Sequence, residues 1–407
     1  MAWAILADDF TGALDTGLQF ARQGLATIFH FGDRPVAAGA LVLSSDSRAL
    51  APAEAAAAAA AAARAAGPGR RYYKKIDSTL RGNIAPELAA IMNATSIQKA
   101  ILAPAYPGQH RTTVGGIQHI DGLPVTATEL ARDPQSPVRE DNILKLIATT
   151  SDLTPALLPL ATLRADNASA VAALAELTAR ADIIVADAET DADLAALAGA
   201  VHKSGGAPPL FAGSAGFAEH LLADFTPNEP GAGTGFPLPR PPSAGIALIA
   251  GSFSAVTRGQ VATAAADLQL QPHIPSRDRY PNPDHALTAA VAHLERDAVW
   301  ITHPGAGRRD LTPDQVDQLS RWISTLATGL ARAIPQIGFI LTGGETASLA
   351  VRGLGATGIR IAAEVRPGIP GGLLVGGVAD GRPVVTKAGA FGDTEALRDA
   401  VCWLQSA

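Results

Sequence analysis

Trp3-Ala4-Ile5-Leu6-Ala7-Asp8-Asp9-Phe10-Thr11-Gly12-Ala13-Leu14-Asp15 is an apolar run that stops on two acids and turns at once into a helical pattern. It reads as a buried strand feeding its crossover helix. The same unit recurs outward from it. Apolar runs at 26–31, 41–43, 72–76, 100–102, 183–186 and 210–212 alternate with helical patterns at 14–23, 54–66, 86–93, 168–180 and 193–203. Further on, runs at 246–250, 298–302, 338–342 and 359–363 alternate with helices near 255–267, 313–333 and 346–353. Strands alternating with helices predict an α/β protein with mainly parallel sheets. The alanine tract at 53–66 is a covering helix, since alanine is the best helix former and Gly67-Pro68-Gly69 stops it.

The stretch 226–244, TPNEPGAGTGFPLPRPPSA, is nearly half Pro and Gly and cannot make a helix or an inner strand. It divides the chain into an expected first domain at 1–225 and a second at 245–407. No internal repeat is evident, so two dissimilar α/β domains are expected.

The 407 residues are 47% hydrophobic and 17% charged, which excludes intrinsic disorder. A net charge of −6 offers no global field for nucleic acid, so an anionic ligand must be held by local positive groups. A single cysteine, Cys402, excludes an intramolecular disulfide framework or a cysteine-rich zinc module and fits a reducing cytosol. The first residues carry no basic leader, and no run of about 20 strongly apolar residues occurs. The expectation is a soluble, cytoplasmic protein with no membrane or nucleic-acid partner, compatible with a homo-oligomer.

Ligands of open α/β sheets bind beyond the carboxyl ends of the strands, so the residues just after each apolar run carry the chemistry. Asp8 and Asp9 end the first run. Asp9 or Thr11 would cap the next helix and leave Asp8 solvated; alternatively one or both acids hold substrate hydroxyls, a metal or a transferred proton. The run at 72–76 is followed by Asp77-Ser78-Thr79-Leu80-Arg81-Gly82-Asn83. Capping explains Asp77 or Ser78 but not Arg81 and Asn83 beside them, and a planar guanidinium is a natural carboxylate partner. After the run at 100–102, His110 could act as a base, although a lone histidine in a polar loop is more often structural. The segment 115–125, with Asp121-Gly122 as its turn, reads as a hairpin.

In the second part, Gly251-Ser252-Phe253-Ser254, Thr342-Gly343-Gly344-Glu345-Thr346 and Lys387-Ala388-Gly389-Ala390-Phe391-Gly392 follow apolar runs. Small and glycine-rich turns between strand and helix let backbone N–H groups approach an oxyanion. There is no P-loop pattern. Gly353-Leu354-Gly355-Ala356-Thr357-Gly358 matches a dinucleotide fingerprint but follows a helix and precedes a strand, the reverse of the required context. No metal-spaced His or Cys cluster occurs.

Together these blocks resemble the four-carbon acid sugar kinase family, ATP-dependent kinases of threonate, erythronate and oxo-tetronate. The resemblance rests on the segments 7–13, 75–83 and 111–116 in the first part. In the second it rests on Gly251–Ser254 with Thr257 and Gln260, on 343–346 and on 387–392. It implies an N-terminal sugar-acid domain, a C-terminal nucleotide domain and an active-site cleft between them. ATP would meet Ser252, Ser254, Gly343, Gly344, Glu345, Thr346 and Gly389. The sugar acid would meet Asp8, Asp9, Asp77, Ser78, Arg81 and Asn83. Asp9, Asp77 and Lys387 would be catalytic, with Mg²⁺ on the phosphates through ligands that the sequence does not identify. The 77–83 block is similar to the threonate and erythronate branch. Asp9 is expected to turn toward the substrate rather than Asp8, because adjacent acids repel. The rivals are an oxo-tetronate kinase, a non-catalytic sensor on the same scaffold, and a nicotinamide-dependent dehydrogenase, which the misplaced fingerprint argues against.

Overall fold

A computed structural model describes residues 2–31, 36–133, 136–223, 242, 244–275, 282–303 and 311–406. The chain divides into two compact units, Met1–Ala26 with Gly32–Thr234, and Thr27–Phe31 with Gly235–Ala407. The 226–244 stretch lies outside the described residues except for Pro242 and Ala244.

The strands are β1 (Ala2–Ala7), β2 (Thr27–His30), β3 (Ala40–Ser44), β4 (Arg70–Lys75), β5 (Ala100–Ala103), β6 (Arg111–Val114), β7 (Ile117–Ile120), β8 (Leu123–Pro124), β9 (Pro155–Leu158), β10 (Ile183–Ala186) and β11 (Leu210–Gly213). The later ones are β12 (Ile246–Ala250), β13 (Val299–Thr302), β14 (Gly338–Thr342), β15 (Gly358–Arg366), β16 (Ile369–Val375) and β17 (Pro383–Lys387).

In the first unit seven strands run in the order β3-β1-β4-β11-β5-β10-β9, every pairing parallel. A parallel sheet is covered on both faces, and the β1 sequence shows it: Ala4 and Leu6 join one core, Trp3 packs the other way. Helices Pro52–Ala66 and Ile84–Thr95 cover the first face. The alanines at 55, 59 and 63, four apart, are the buried stripe of the former helix, which ends at Gly67 with φ +77°. On the other face an aromatic set links Trp3, Phe20, Tyr73, Phe211 and Phe217. A separate antiparallel sheet β6-β7-β8 turns at Gly115-Gly116 and at Asp121-Gly122, each residue in the left-handed region that such tight turns require.

In the second unit the parallel set β13-β12-β14-β17 is extended by antiparallel β16, β15 and β2. Helices Ala255–Asp267 and Ala396–Ser406 share one core with β12. The strand β2 is the main departure from the sequence reading: the run at 26–31 is a strand, but it belongs to the second unit, where it pairs antiparallel with β15. Phe29 sits opposite Ile359, and Gly358 lets the two backbones approach, because a Cβ there would meet the Phe29 carbonyl. The fingerprint-like 353–358 segment is a helix end at Gly353 followed by β15.

Candidate functional site

Because the first-unit strands are parallel, β1, β3 and β4 end on one edge, and their following loops meet there. Asp9 is the N-cap of helix Phe10–Arg22: its Oδ1 accepts the Gly12 N–H at 3.2 Å and its Oδ2 accepts the Thr11 hydroxyl at 2.7 Å. Asp8 is buried rather than solvated. From the loop after β3, Arg48 donates Nε to Asp8 Oδ2 at 2.8 Å, Nη2 to Asp8 Oδ1 at 2.9 Å and Nη2 to Asp9 Oδ1 at 2.6 Å. This corrects the expectation that repulsion turns one acid away. A single guanidinium bridges both carboxylates, so the adjacent acids face the same group.

After β4, Asp77 Oδ2 accepts Arg81 Nε at 2.5 Å and the Thr79 hydroxyl at 2.6 Å. Leu80, with φ +61°, closes the turn that returns Arg81 onto Asp77. A leucine in that region is strained by roughly 1–2 kcal/mol, so the loop geometry is imposed by its surroundings. Arg81 Nη1 also reaches Asp133 at 3.5 Å. Gly82 rests against Asp8, where a Cβ would lie 3.0 Å from Oδ2. Gln118 donates to the Ser78 carbonyl at 2.7 Å and accepts the Thr113 hydroxyl, joining the hairpin to this loop.

Asn83 is spent differently from the expectation: its amide donates to the Leu50 carbonyl at 2.9 Å and to that of Ser47 at 3.4 Å. It braces the Arg48 loop. His110 is an exposed loop residue with φ +57°.

Burial alone would raise the Asp8 and Asp77 pKa values. The Arg48 charge, with Lys74 and Lys75 at Asp8 and with Arg81 and Lys75 at Asp77, holds both below the usual carboxylate range. Against the cost of its own burial, Arg48 is pushed well up by Asp8, Asp9 and Asp77. Both buried acids are therefore ionised at neutral pH and serve as hydrogen-bond acceptors. Asp9 is the most accessible of the three, its side chain 25% exposed against 5% for Asp8 and 11% for Asp77.

In the second unit the three glycine-containing turns touch. A Cβ on Gly389 would strike Ser252 Oγ, one on Gly251 would strike Thr346 Oγ1, and one on Gly343 would lie 3.1 Å from the Ser252 nitrogen. Gly343, with φ +101°, is the N-cap of helix Gly344–Gly353, which has no side-chain cap. Its first N–H groups thus face outward with the positive end of the helix dipole. Thr342 Oγ1 is buried there without a partner among the described residues. Glu345 lies exposed in the first turn. These features fit a polyphosphate.

Two expected ligands have other tasks. Ser254 caps helix Ala255–Asp267 through the Thr257 N–H and donates to the Gly389 carbonyl at 2.7 Å. Lys387 is buried, and its ammonium donates to the carbonyls of Ala388, Phe391 and Gly389 at 2.7, 3.0 and 3.3 Å. Burial draws its pKa down to about 8. Gln260 adds donors to the carbonyls of Phe391, Gly392 and Asp393. The carbonyl oxygens of this loop are thereby drawn inward, away from any phosphate.

The sequence reading missed Arg48, Lys75, Gln118 and Asp133. Arg48 was findable: Ser45-Asp46-Ser47-Arg48 after β3 repeats the acid, hydroxyl and guanidinium content of the 77–81 loop.

Each of the two units carries one candidate site, and each matches a known domain family. Residues 3–221 match the sugar-binding N-terminal domain family and residues 247–397 the nucleotide-binding C-terminal domain family. The chain belongs to the four-carbon acid sugar kinase family. It is 32% identical to the D-threonate kinase of Salmonella typhimurium, over 100% of this chain and 99% of that one. It is 35% identical to that of Cupriavidus necator, over 98% and 96%. The D-erythronate kinase of Heliobacterium modesticaldum is 29% identical over 98% and 96%. Solved structures from Salmonella typhimurium (TM-score 0.83, 24% identity, 98% of each chain) and Haemophilus influenzae (0.79, 22%, 99% of each chain) share the fold.

Proposed function

We propose that the chain transfers the γ-phosphoryl group of ATP to the terminal, 4-hydroxyl of a four-carbon sugar acid, D-threonate or D-erythronate. The observation that carries this is a division of chemistry. Three carboxylates and two guanidiniums meet at the strand ends of the first unit, which suits a small polyhydroxy acid. Three touching glycine turns and an uncapped helix N-terminus meet in the second, which suits a nucleotide polyphosphate. The full-length relatives support the acceptor class. Relatives named 3-oxo-tetronate kinase match at 29%.

Arg81 is the partner for the substrate carboxylate. Among the described residues its Nε is given to Asp77 and its Nη1 to Asp133, which leaves the Nη2 amino group for a ligand. Asp77 and Ser78 receive and donate hydrogen bonds at the hydroxyls. Asp9, the accessible acid, orients the 4-hydroxyl and takes its proton as transfer proceeds; such transfer is mostly positioning and charge stabilisation. ATP would lie on Ser252, Gly343, Gly344 and Thr346, with Lys387 and Ser254 holding the Gly389 loop in shape. Mg²⁺, where bound, would come with the nucleotide and offset phosphate charge, and would need few ligands from the chain. Among the described residues no group of three or more His, Cys, Asp or Glu side chains forms a cation site.

The test is ADP release with Mg-ATP across D-threonate, D-erythronate and 3-oxo-tetronate. Turnover with one of the first two is expected. Binding without ADP release would favour a sensor, and turnover only with the oxo acid would move the chain to the other branch.

A further inference from the structure

Behind the first-unit site lies a buried charge pair. Lys74 Nζ stands 2.5 Å from Glu87 Oε2, the two side chains 2% and 1% exposed. The other Glu87 oxygen, Oε1, accepts the hydroxyl of the fully buried Ser47 at 2.8 Å. Ser47 Oγ is 2.7 Å from Ser45 Oγ, and Ser45 Oγ donates in turn to the Ala7 carbonyl at 3.0 Å, at the end of β1. Arg48, the next residue, bridges Asp8 and Asp9.

We infer that Glu87 and Ser47 are positioning residues for the sugar-acid site, a buried chain from Lys74 through Glu87 to Ser47 that fixes the loop carrying Arg48. A buried Lys–Glu pair adds little stability over apolar residues of the same size, so its use here points to geometry. The Glu87 carboxyl group accepts the Ser47 hydroxyl through Oε1 while Oε2 meets Lys74, which sets the Ser47 hydroxyl as donor and so its rotamer. Arginine has several freely rotating bonds, and its hold on two acids at once needs a fixed Cα. The ties on Ser47, together with Ser136 Oγ donating to the Arg48 carbonyl at 3.1 Å, supply it. With the chain broken, Arg48 would sample positions in which Asp8 and Asp9 repel each other, and the site would bind its acid less well.

The inference rests on the reading of Asp8, Asp9 and Arg48 as part of the sugar-acid site, and the experiment separates the two. Ser47→Ala removes the hydroxyl and leaves the ion pair whole. Glu87→Asp keeps the charge balance but withdraws the carboxylate from Ser47. Steady-state kinetics of each full-length variant are measured with D-threonate or D-erythronate, whichever the wild type uses, beside thermal unfolding. The sugar-acid KM should rise roughly 5- to 20-fold, with kcat within about threefold, the ATP KM within about twofold, and both variants folded. This separation of KM from kcat and of one substrate from the other is not what general destabilisation produces. An unchanged sugar-acid KM in either folded variant, while Arg48→Lys raises it, overturns the positioning role. If Arg48→Lys is silent too, the site reading itself is wrong.

Discussion

Arg48 grips Asp8 with two parallel hydrogen bonds, Nε to Oδ2 and Nη2 to Oδ1, at 2.8 and 2.9 Å. The same Nη2 serves Asp9, so one planar fork makes two adjacent acids compatible. Lysine has the charge but not the fork. Arg48→Lys should therefore raise the sugar-acid KM by about tenfold or more, the equivalent of losing one or two charge-assisted bonds of roughly 1.5–3 kcal/mol each. The ATP KM should stay within about twofold. Separate titrations of the two substrates check this.

Gly389 gives the matching prediction for the nucleotide. A Cβ there would strike Ser252 Oγ and lie 2.9 Å from Ser252 Cβ. Gly389→Ala must push the two turns apart, an overpacking of roughly 1–3 kcal/mol. The ATP KM should rise about 5- to 100-fold and the sugar-acid KM hardly at all. Calorimetry with a non-hydrolysable ATP analogue reads the same loss as affinity.

The pH dependence of stability follows from Asp77. Its pKa is lower folded than the ordinary 3.8, so the ionised form stabilises the native state above about pH 4, and this is lost as pH falls further. Asp77→Asn should be destabilised at pH 7, where Arg81 loses its charged partner. The gap to wild type should begin to narrow once the pH falls below about 4 and keep narrowing toward about pH 2. Urea unfolding of both proteins over that range measures it. A constant gap would mean that Arg48 and Arg81 do not hold Asp77 ionised.

Much of this architecture is legible in the residues. Strands such as 183–186 and helices such as 255–267 follow from apolar runs and period alone, and the three turns of the second unit declare themselves by glycine. What escapes is partnership. The run at 26–31 says strand, but only the approach of Gly358 to Phe29 says that β15 is its partner. Strand β16 hides because Ile369-Pro370-Gly371-Gly372 reads as a turn. Its glycines are there for close packing, since a Cβ on Gly371 would meet the Trp403 ring and one on Gly372 the Arg360 carbonyl. Lys387 looks like a phosphate ligand in sequence, yet the curl of its own loop turns three carbonyls onto its ammonium.

Asp9 and Asp77 should separate in kinetics. Asp9→Asn keeps the N-cap oxygen and the shape but cannot take a proton, so kcat should fall about 100-fold with the sugar-acid KM within a few-fold. Asp77→Asn should chiefly raise that KM. The opposite pattern would exchange their roles.

The most direct test of the central claim is the position of the phosphate. The chain incubated with Mg-ATP and D-threonate or D-erythronate should give one equivalent of ADP per phosphate ester. Phosphorus–carbon coupling in the NMR spectrum of the product should place that ester on C4. A phosphate on C2 or C3, or no ester with either acid under conditions in which both ligands bind, would contradict the account.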